Sequence, residues 1–587
     1  MRYRSATILV LGLLHATLAP AQIAEWQGTV TDNWFNSLNW NPEAIPAAGT
    51  NVILNAWSPN ATTLSGSSTP ILGAIQIGET GNAELVIQSG GKLFNNAIGI
   101  LGVEAGSQGF AIIQDTGSEW RLSHNLVVGE QGLALLQLRD QGYLLNNNGR
   151  IGNSSSGSGA VTLTQSANWV NQGNLFVAHT GLASLDIRQQ AAVYNTAQGY
   201  VAYAAGSQGS VRVRESGGWA SFDDLFIGRQ GQASLDIESG GVVVVASDSS
   251  SFVGAQNSGF GEVTVSGAGS LWSNSASLIV GVAGTGILSV SDGAVVSGGV
   301  VSLGDLAGGS GTVVVGEGGE LNSVDQLYVG RWGTGSLTID GGEVTNGGVA
   351  AIGGTPSNPG IGEVHLTEVS GGRWHSQSDI LVGWGGTGLL TVANSTEVES
   401  GGRIRISTQA GSTGTVSLRG SLTASAAHGG TEVDAGGTMT GNGTVNGGLN
   451  VSAGGVAAPG DRAGSAIGSL SVNGPVNLAP GSRLEPRVGI IPIPGGAIAP
   501  IVDQIHVSGD LVLNGELHLS ALAGPIPGIY ILMIYSGSLS GNGLTIGTLP
   551  ALPAGHIARI DSTSQPGQIH LVVEPMDEGI FSDRFEG

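Results

Sequence analysis

Between its glycines the chain runs in segments of three to six residues that alternate apolar and polar positions and favour Val, Ile, Leu and Thr, as in Leu126-Val-Val, Leu225-Phe-Ile and Leu235-Asp-Ile. Period-two alternation marks short, half-buried β-strands. No stretch of twelve residues keeps a helical period without a glycine pair interrupting it, so helices are nearly excluded. The segments recur at a fixed period. An "apolar-x-apolar-Gly" motif appears as Ile75-Gln-Ile-Gly78, Leu126-Val-Val-Gly129, Leu175-Phe-Val-Ala178, Leu225-Phe-Ile-Gly228, Leu278-Ile-Val-Gly281, Leu327-Tyr-Val-Gly330 and Ile380-Leu-Val-Gly383, with successive steps of 51, 49, 50, 53, 49 and 53 residues. Each unit of about 50 residues divides into two related halves of about 25, the second typified by Gly259-Phe-Gly-Glu-Val-Thr-Val-Ser-Gly-Ala-Gly-Ser-Leu-Trp272.

Short strands joined by glycine-rich turns build sandwiches, propellers or solenoids. A propeller needs blades of uniform length and a closed ring, whereas these units vary by four residues and drift into shorter motifs toward the C-terminus. A solenoid absorbs such variation in its turns, because each coil contacts only its neighbours. The expected fold is therefore all-β, a right-handed parallel β-helix (solenoid) with N- and C-terminal β caps. Counted from Ile75 to Leu519 it has about 18 coils and a length of the order of 85 Å at the ~4.8 Å strand spacing. Leu185, Leu235, Leu288 and Leu337, two coils apart in turn, are expected to stack inward.

Composition narrows the function classes. Of 587 residues 102 are Gly, but the glycines do not fall at every third position, which excludes collagen. With 40% hydrophobic residues the chain has enough apolar surface to fold. The balance of 20 basic against 43 acidic residues, with Lys92 the only lysine, leaves no basic face for phosphates, so no nucleic-acid partner is expected. There is no Cys, hence no disulfide and no Cys-ligated metal. At the N-terminus Arg2 and Arg4, the apolar run Ala6 to Leu18 and Ala19-Pro20-Ala21 form a secretory signal peptide cut between Ala21 and Gln22. No later segment could span a bilayer as a helix.

The motifs Trp26-Gln-Gly, Asn33-Trp34, Asn39-Trp40-Asn41, Pro46 and Asn51-Val-Ile-Leu54 resemble the opening of many exported bacterial repeat proteins. The 50-residue units resemble the passenger repeats of autotransporters, and Gly441-Asn-Gly-Thr-Val-Asn-Gly-Gly448, Ala453-Gly-Gly-Val-Ala-Ala-Pro-Gly460, Gly468-Ser-Leu-Ser-Val472 and Asp503-Gln-Ile-His-Val-Ser-Gly509 are similar to the passenger-associated pattern that follows them. The resemblance covers most of the chain and implies a β-helix outside a Gram-negative cell. One departure is large. An autotransporter ends in a barrel of about a dozen amphipathic strands, whereas this chain closes on Met576-Asp-Glu-Gly-Ile-Phe-Ser-Asp-Arg-Phe-Glu-Gly587, which looks like the "IFxDGFE" ending of various secreted proteins, with Arg584 in place of Gly.

Candidate chemistry is sparse. Catalysis by a β-helix needs carboxylates, or a carboxylate with a cation or metal, converging from adjacent coils. Asp186 and Asp236 share a repeat phase and read as solvent-facing strand positions, and Asp223-Asp224 reads as a turn. His365 and His375 stand ten apart and the other histidines are scattered singly, without metal-ligand spacing. No GKS or GKT phosphate loop occurs. Trp120, Trp169, Trp219, Trp272 and Trp374 share one phase, with Leu321 in the skipped unit. A ladder of indoles could offer flat faces to sugar rings, or each could fill a corner of its coil; a feature repeated in every unit favours the corner.

The sequence thus nominates no catalytic, cofactor-binding or metal-ligating residue and no cofactor. Its organisation is a signal peptide (1–21), a Trp-rich N-terminal cap (22–74), a β-helix of double-coil repeats (75–435), passenger-associated coils (436–498), a C-terminal β cap (499–575) and a short acidic tail (576–587). The expected function is that of a non-catalytic, exported cell-surface or extracellular repeat protein, structural or adhesive, facing glycans or host and matrix surfaces, monomeric or weakly associated end to end. The alternatives are a β-helical polysaccharide lyase or hydrolase, and a passenger exported with a separately encoded barrel.

Overall fold

The computed structural model describes residues 22–576 except 58, 247, 369, 463, 465, 495 and 496; the signal-peptide expectation and all of the tail after Met576 fall outside them. The fold is an all-β parallel solenoid of about 21 turns. Each turn lays down one strand in each of three sheets. In one turn Gly99–Leu101 enters sheet A, Gln108–Ile113 sheet B and Glu119–Leu122 sheet C; the next supplies Leu126–Val128, Leu133–Leu138 and Tyr143–Asn146. They stack in register, with Gly99 opposite Leu126, Phe110 opposite Leu135 and Trp120 opposite Leu144. The 50-residue unit is two turns.

Alternation along each strand sends every second side chain inward, and the predicted leucine stack is there: Leu185, Leu235, Leu288 and Leu337 are all buried in one sheet-B column. The last residue of "apolar-x-apolar-Gly" turns the chain from sheet A into sheet B. Gly330 there has φ +71°, and a Cβ on it would collide with the Ile361 carbonyl of the following turn. Ala178, the one exception among the seven motifs, holds the same left-handed conformation at φ 64°, a strained position for a residue with a Cβ.

Stacking also starts before Ile75 and runs on past Leu519, where Leu539–Ser540 pairs parallel with Leu511–Leu513 and Thr545–Ile546 with Glu516–Leu517, which is why the turns outnumber the 18 counted from sequence. Asn51–Leu54 pairs parallel with Ile75–Ile77, Thr62–Ser65 with Asn82–Gln88 and Ser68–Leu72 with Lys92–Asn95. Over this first turn the indoles of Trp26, Trp34 and Trp40 pack edge to face, with centroids 5.0 and 4.8 Å apart. Buried Asn39 holds the incoming loop by accepting from the Val30 and Thr31 amides and donating to Thr31 Oγ1 and the Asn33 carbonyl. At the far end the strand direction reverses. Gly528–Tyr535 continues sheet C but pairs antiparallel with Gln568–Pro575, which pairs antiparallel with His556–Asp561. An antiparallel hairpin over the last parallel strand covers an edge that would otherwise recruit other chains.

Candidate functional site

The five repeat-phase tryptophans lie inside the solenoid. Trp120, Trp169, Trp219, Trp272 and Trp374 are at most 1% exposed, so they present no face to an external sugar: the glycan-facing ladder is not what they form. They fill corners, and the opposite wall shows why they are spaced as they are. In each Trp-bearing turn the inward sheet-A position is small: Gly99, Gly149, Gly199, Ser251 and Ala350. A Cβ on Gly149 or Gly199 would meet the Cζ2 of Trp169 or Trp219 at 2.8 or 3.1 Å. In the intervening turns sheet A carries Leu126, Leu175, Leu225, Leu278 and Ile380, and sheet C carries Leu144 or a valine. Where sheet A has Val301, the Trp gives way to Leu321. Constant lumen volume, needed for close packing, is kept by trading size between two walls.

The buried indole N–H groups need acceptors. Trp120, Trp169, Trp219 and Trp374 donate to Asn95, Asn146, Asn195 and Asn346 of the preceding turn, at 2.9, 2.6, 2.8 and 2.9 Å. At Trp272 that place is taken by Val245, and Nε1 has no partner. Trp219→Phe should therefore cost about 1–3 kcal/mol more than Trp272→Phe, because it strands the Asn195 carbonyl oxygen, whereas Trp272→Phe removes a donor that is already unsatisfied. Unfolding midpoints of the two variants in denaturant check this, and equal losses would contradict it.

The flagged acids are committed to neighbours. Arg212 stands in register between Asp186 and Asp236. Asp186 accepts two bonds from Arg214, both 3.2 Å, and lies 3.5 Å from Arg188; Asp236 lies 4.0 Å from Arg212. Burial pushes the Asp236 carboxyl above its ordinary range, against the pull of Arg212. Asp223 accepts from the Asp224 amide and Asp224 from the Ser250 amide, as turn residues do. His365 sits 3.5 Å from Glu363 and His375 3.1 Å from Glu399. Among the described residues no three His, Asp or Glu side chains could together hold a metal ion.

The outer faces differ from one another. On sheet A, Phe176, Tyr200, Phe226 and Phe252 stack over four successive turns with centroids 4.9, 5.1 and 4.9 Å apart. Their faces cover one another, and His179 and Tyr203, stacked at 5.1 Å, close over the side with Arg229 above Tyr203. Burial lowers the His179 pKa and raises that of Tyr200, consistent with a sealed strip. On sheet C, Glu119 binds Lys92 at 2.9 Å and Arg121 at 2.6 Å. Burial would raise its pKa, but the hydrogen bonds from both cations outweigh it and hold the carboxyl below its ordinary value. On sheet B the outer surface sinks into an open trough of about 530 Å³ floored by Ala160, Ser184, Ser210 and Ser234. Neither the sheet-A stack nor this trough was singled out in the sequence, because their members are ordinary outward positions whose chemistry changes from turn to turn.

No family model matches the chain. Over 94 residues, 16% of its length, it is 43% identical to the adhesin BmaC autotransporter of Brucella suis biovar 1 (strain 1330), and that stretch covers 2% of the adhesin. No helix among the described residues is long and apolar enough to cross a membrane.

Proposed function

We propose that the chain is an exported rod at the surface of a Gram-negative cell or in its surroundings, structural or adhesive in role, that meets glycans or host and matrix surfaces through its outer faces. The observation that carries this reading is the repetition itself: outward chemistry drifts from turn to turn, and the flagged carboxylates are held by arginines or turn amides. The local likeness to an adhesin supports the same conclusion. Protease treatment of intact producing cells, paired with attachment of a deletion strain to matrix-coated and glycan-coated surfaces, tests it. The expected result is loss of the protein from intact cells while cytoplasmic markers survive, with attachment reduced several-fold in the deletion strain. A protein protected from external protease, or one that cleaves polysaccharides, would contradict the proposal.

A further inference from the structure

One indole stands outside the repeat phase and outside the core. Trp57, 44% exposed, lies over Phe110 on the outer face of sheet B, with ring centroids 5.6 Å apart and planes 14° from parallel. One face of the indole is therefore turned to Phe110 and the other is open. Beneath it is a cavity of about 250 Å³ whose polar lining is Glu84 and Gln137 and whose apolar floor includes Leu135. Among the described residues neither Glu84 nor Gln137 makes a side-chain hydrogen bond or ion pair within the protein. Asn55 and Asn60, on either side of Trp57 in the chain, are both hydrogen-bonded to neighbouring segments. Asn55 accepts from the Thr80 and Gly81 amides at 2.9 and 2.7 Å, and Asn60 donates to the Gly28 carbonyl at 2.8 Å while its own carbonyl accepts from Trp26 Nε1 at 3.1 Å.

From this cavity the same outward column runs on in register: Phe110 and Leu135 give way to Ala160, Ser184, Ser210 and Ser234, and the trough's lining closes at Glu262, which Ile287 follows in the column. The drop to small side chains makes the trough, whose border carries the Gln208 and Gln232 amides and, at its far end, Phe260. Glu84 to Glu262 is seven strand spacings, about 34 Å. The path lies across the strands, so a peptide cannot join it by strand addition, which needs a sheet edge. Carboxylates at both ends, on a chain of net charge −23, disfavour an anionic polymer, and the one arginine in the neighbouring column, Arg212, is shared between Asp236 and Glu238. What remains is an extended, uncharged, hydroxyl-rich chain that can set a C–H face on an indole and exchange hydrogen bonds with Ser, Gln and Glu side chains.

We propose that the outer face of sheet B binds a neutral glycan strand lying along the solenoid axis, with Trp57 as the platform for one sugar ring and Glu84 and Gln137 as hydrogen-bonding partners of the same ring. The inference rests on the surface-protein reading for its setting, but its test is separate. The purified full chain is titrated, by calorimetry and tryptophan fluorescence, with cellohexaose, maltohexaose, mannohexaose and hexa-N-acetylchitohexaose, and with hexagalacturonate for comparison. At least one neutral hexasaccharide should bind more tightly than hexagalacturonate. Trp57→Ala should weaken that binding at least tenfold, and Ser210→Arg, which fills the trough from an exposed strand position, should abolish it. Trp332→Ala, equally exposed at 44% but beyond the trough, should leave it unchanged. Failure of every neutral probe, tighter binding of hexagalacturonate, capture of an extended peptide in place of sugar, or parental affinity in a Trp57→Ala protein with unaltered circular dichroism would overturn the proposal. Cells that still display and use a Trp57→Ala protein would separate loss of this site from loss of the surface function.

Discussion

Asp503→Ala should cost about 3–5 kcal/mol and loosen the C-terminal turns, the penalty for leaving a buried charge without its partner. Asp503 is fully buried and the Arg487 guanidinium nearly so. The carboxylate accepts from Arg487 Nε at 2.7 Å, Nη2 at 3.2 Å and the Arg487 amide at 3.0 Å, and from the Gly468 amide at 2.8 Å. Arg487 in turn donates to the carbonyls of Gly464 and Ala466 at 2.7 and 2.8 Å. One ion pair therefore fastens the excursion after Pro459-Gly460 to the body of the solenoid. Gly460 has φ +86°, and a Cβ there would collide with the Asp503 carboxylate, so two elements of the passenger-like pattern that lie far apart in sequence meet at one point. Asp503→Asn, which keeps the shape and loses the charge, should fall between parent and Ala. Unfolding in denaturant and limited proteolysis between residues 461 and 467 read both effects. A midpoint unchanged by Asp503→Ala would remove the pair from the account of stability.

Excising the single strand Gln232–Glu238 should do more damage than removing two whole turns. Its inward residues Ala233, Leu235 and Ile237 sit between Val211 and Val213 on one side and Val263 and Val265 on the other, all buried. Without it the chain must leave a gap in sheet B or slip its register, and either exposes large apolar side chains at about 1.5–3 kcal/mol each. Four such residues reach the order of 10 kcal/mol, comparable to the whole stability of a typical domain. Deleting Gly228 through Val280 behaves differently. Ile227, Val253 and Val280 share one register position, and Gly228, Gly254 and Gly281 all have φ between 64° and 73°. Joining Ile227 to Gly281 therefore restores like phase to like phase, and stability falls only by the lost neighbour terms. Thermal melts followed by far-UV circular dichroism should show a cooperative transition for the two-turn deletion and a broad or absent one for the strand deletion.

How much of this was legible in the sequence depended on whether the relevant signal was local and periodic. Strand alternation and the 50-residue repeat are both, and they led to the solenoid and to the Leu185–Leu337 stack. The turn count fell short because strands stack on both sides of the span from Ile75 to Leu519: Ile23–Trp26 and residues 51–72 before it, Leu539–Ser540 and Thr545–Ile546 after it. The orientation of Trp120, Trp169, Trp219, Trp272 and Trp374 was readable in principle. Each keeps company with a Gly, Ser or Ala 20 to 24 residues earlier and, at Trp120, Trp169, Trp219 and Trp374, with an Asn one turn back. That covariation within a single chain marks an enclosed corner. Trp57 gave no such signal. It lies in a loop outside the repeat phase, and only the fold brings it to Phe110. The Arg487–Asp503 pair was hidden for the same reason, since neither local pattern nor period couples the two residues.

If the turns stack independently along one axis, small-angle X-ray scattering of the parent chain beside the Gly228–Val280 deletion shows it most directly. Two turns at the strand spacing of about 4.8 Å predict a longest dimension shorter by about 10 Å with an unchanged cross-section. An unchanged longest dimension, or a thickened cross-section in the deletion, would contradict it.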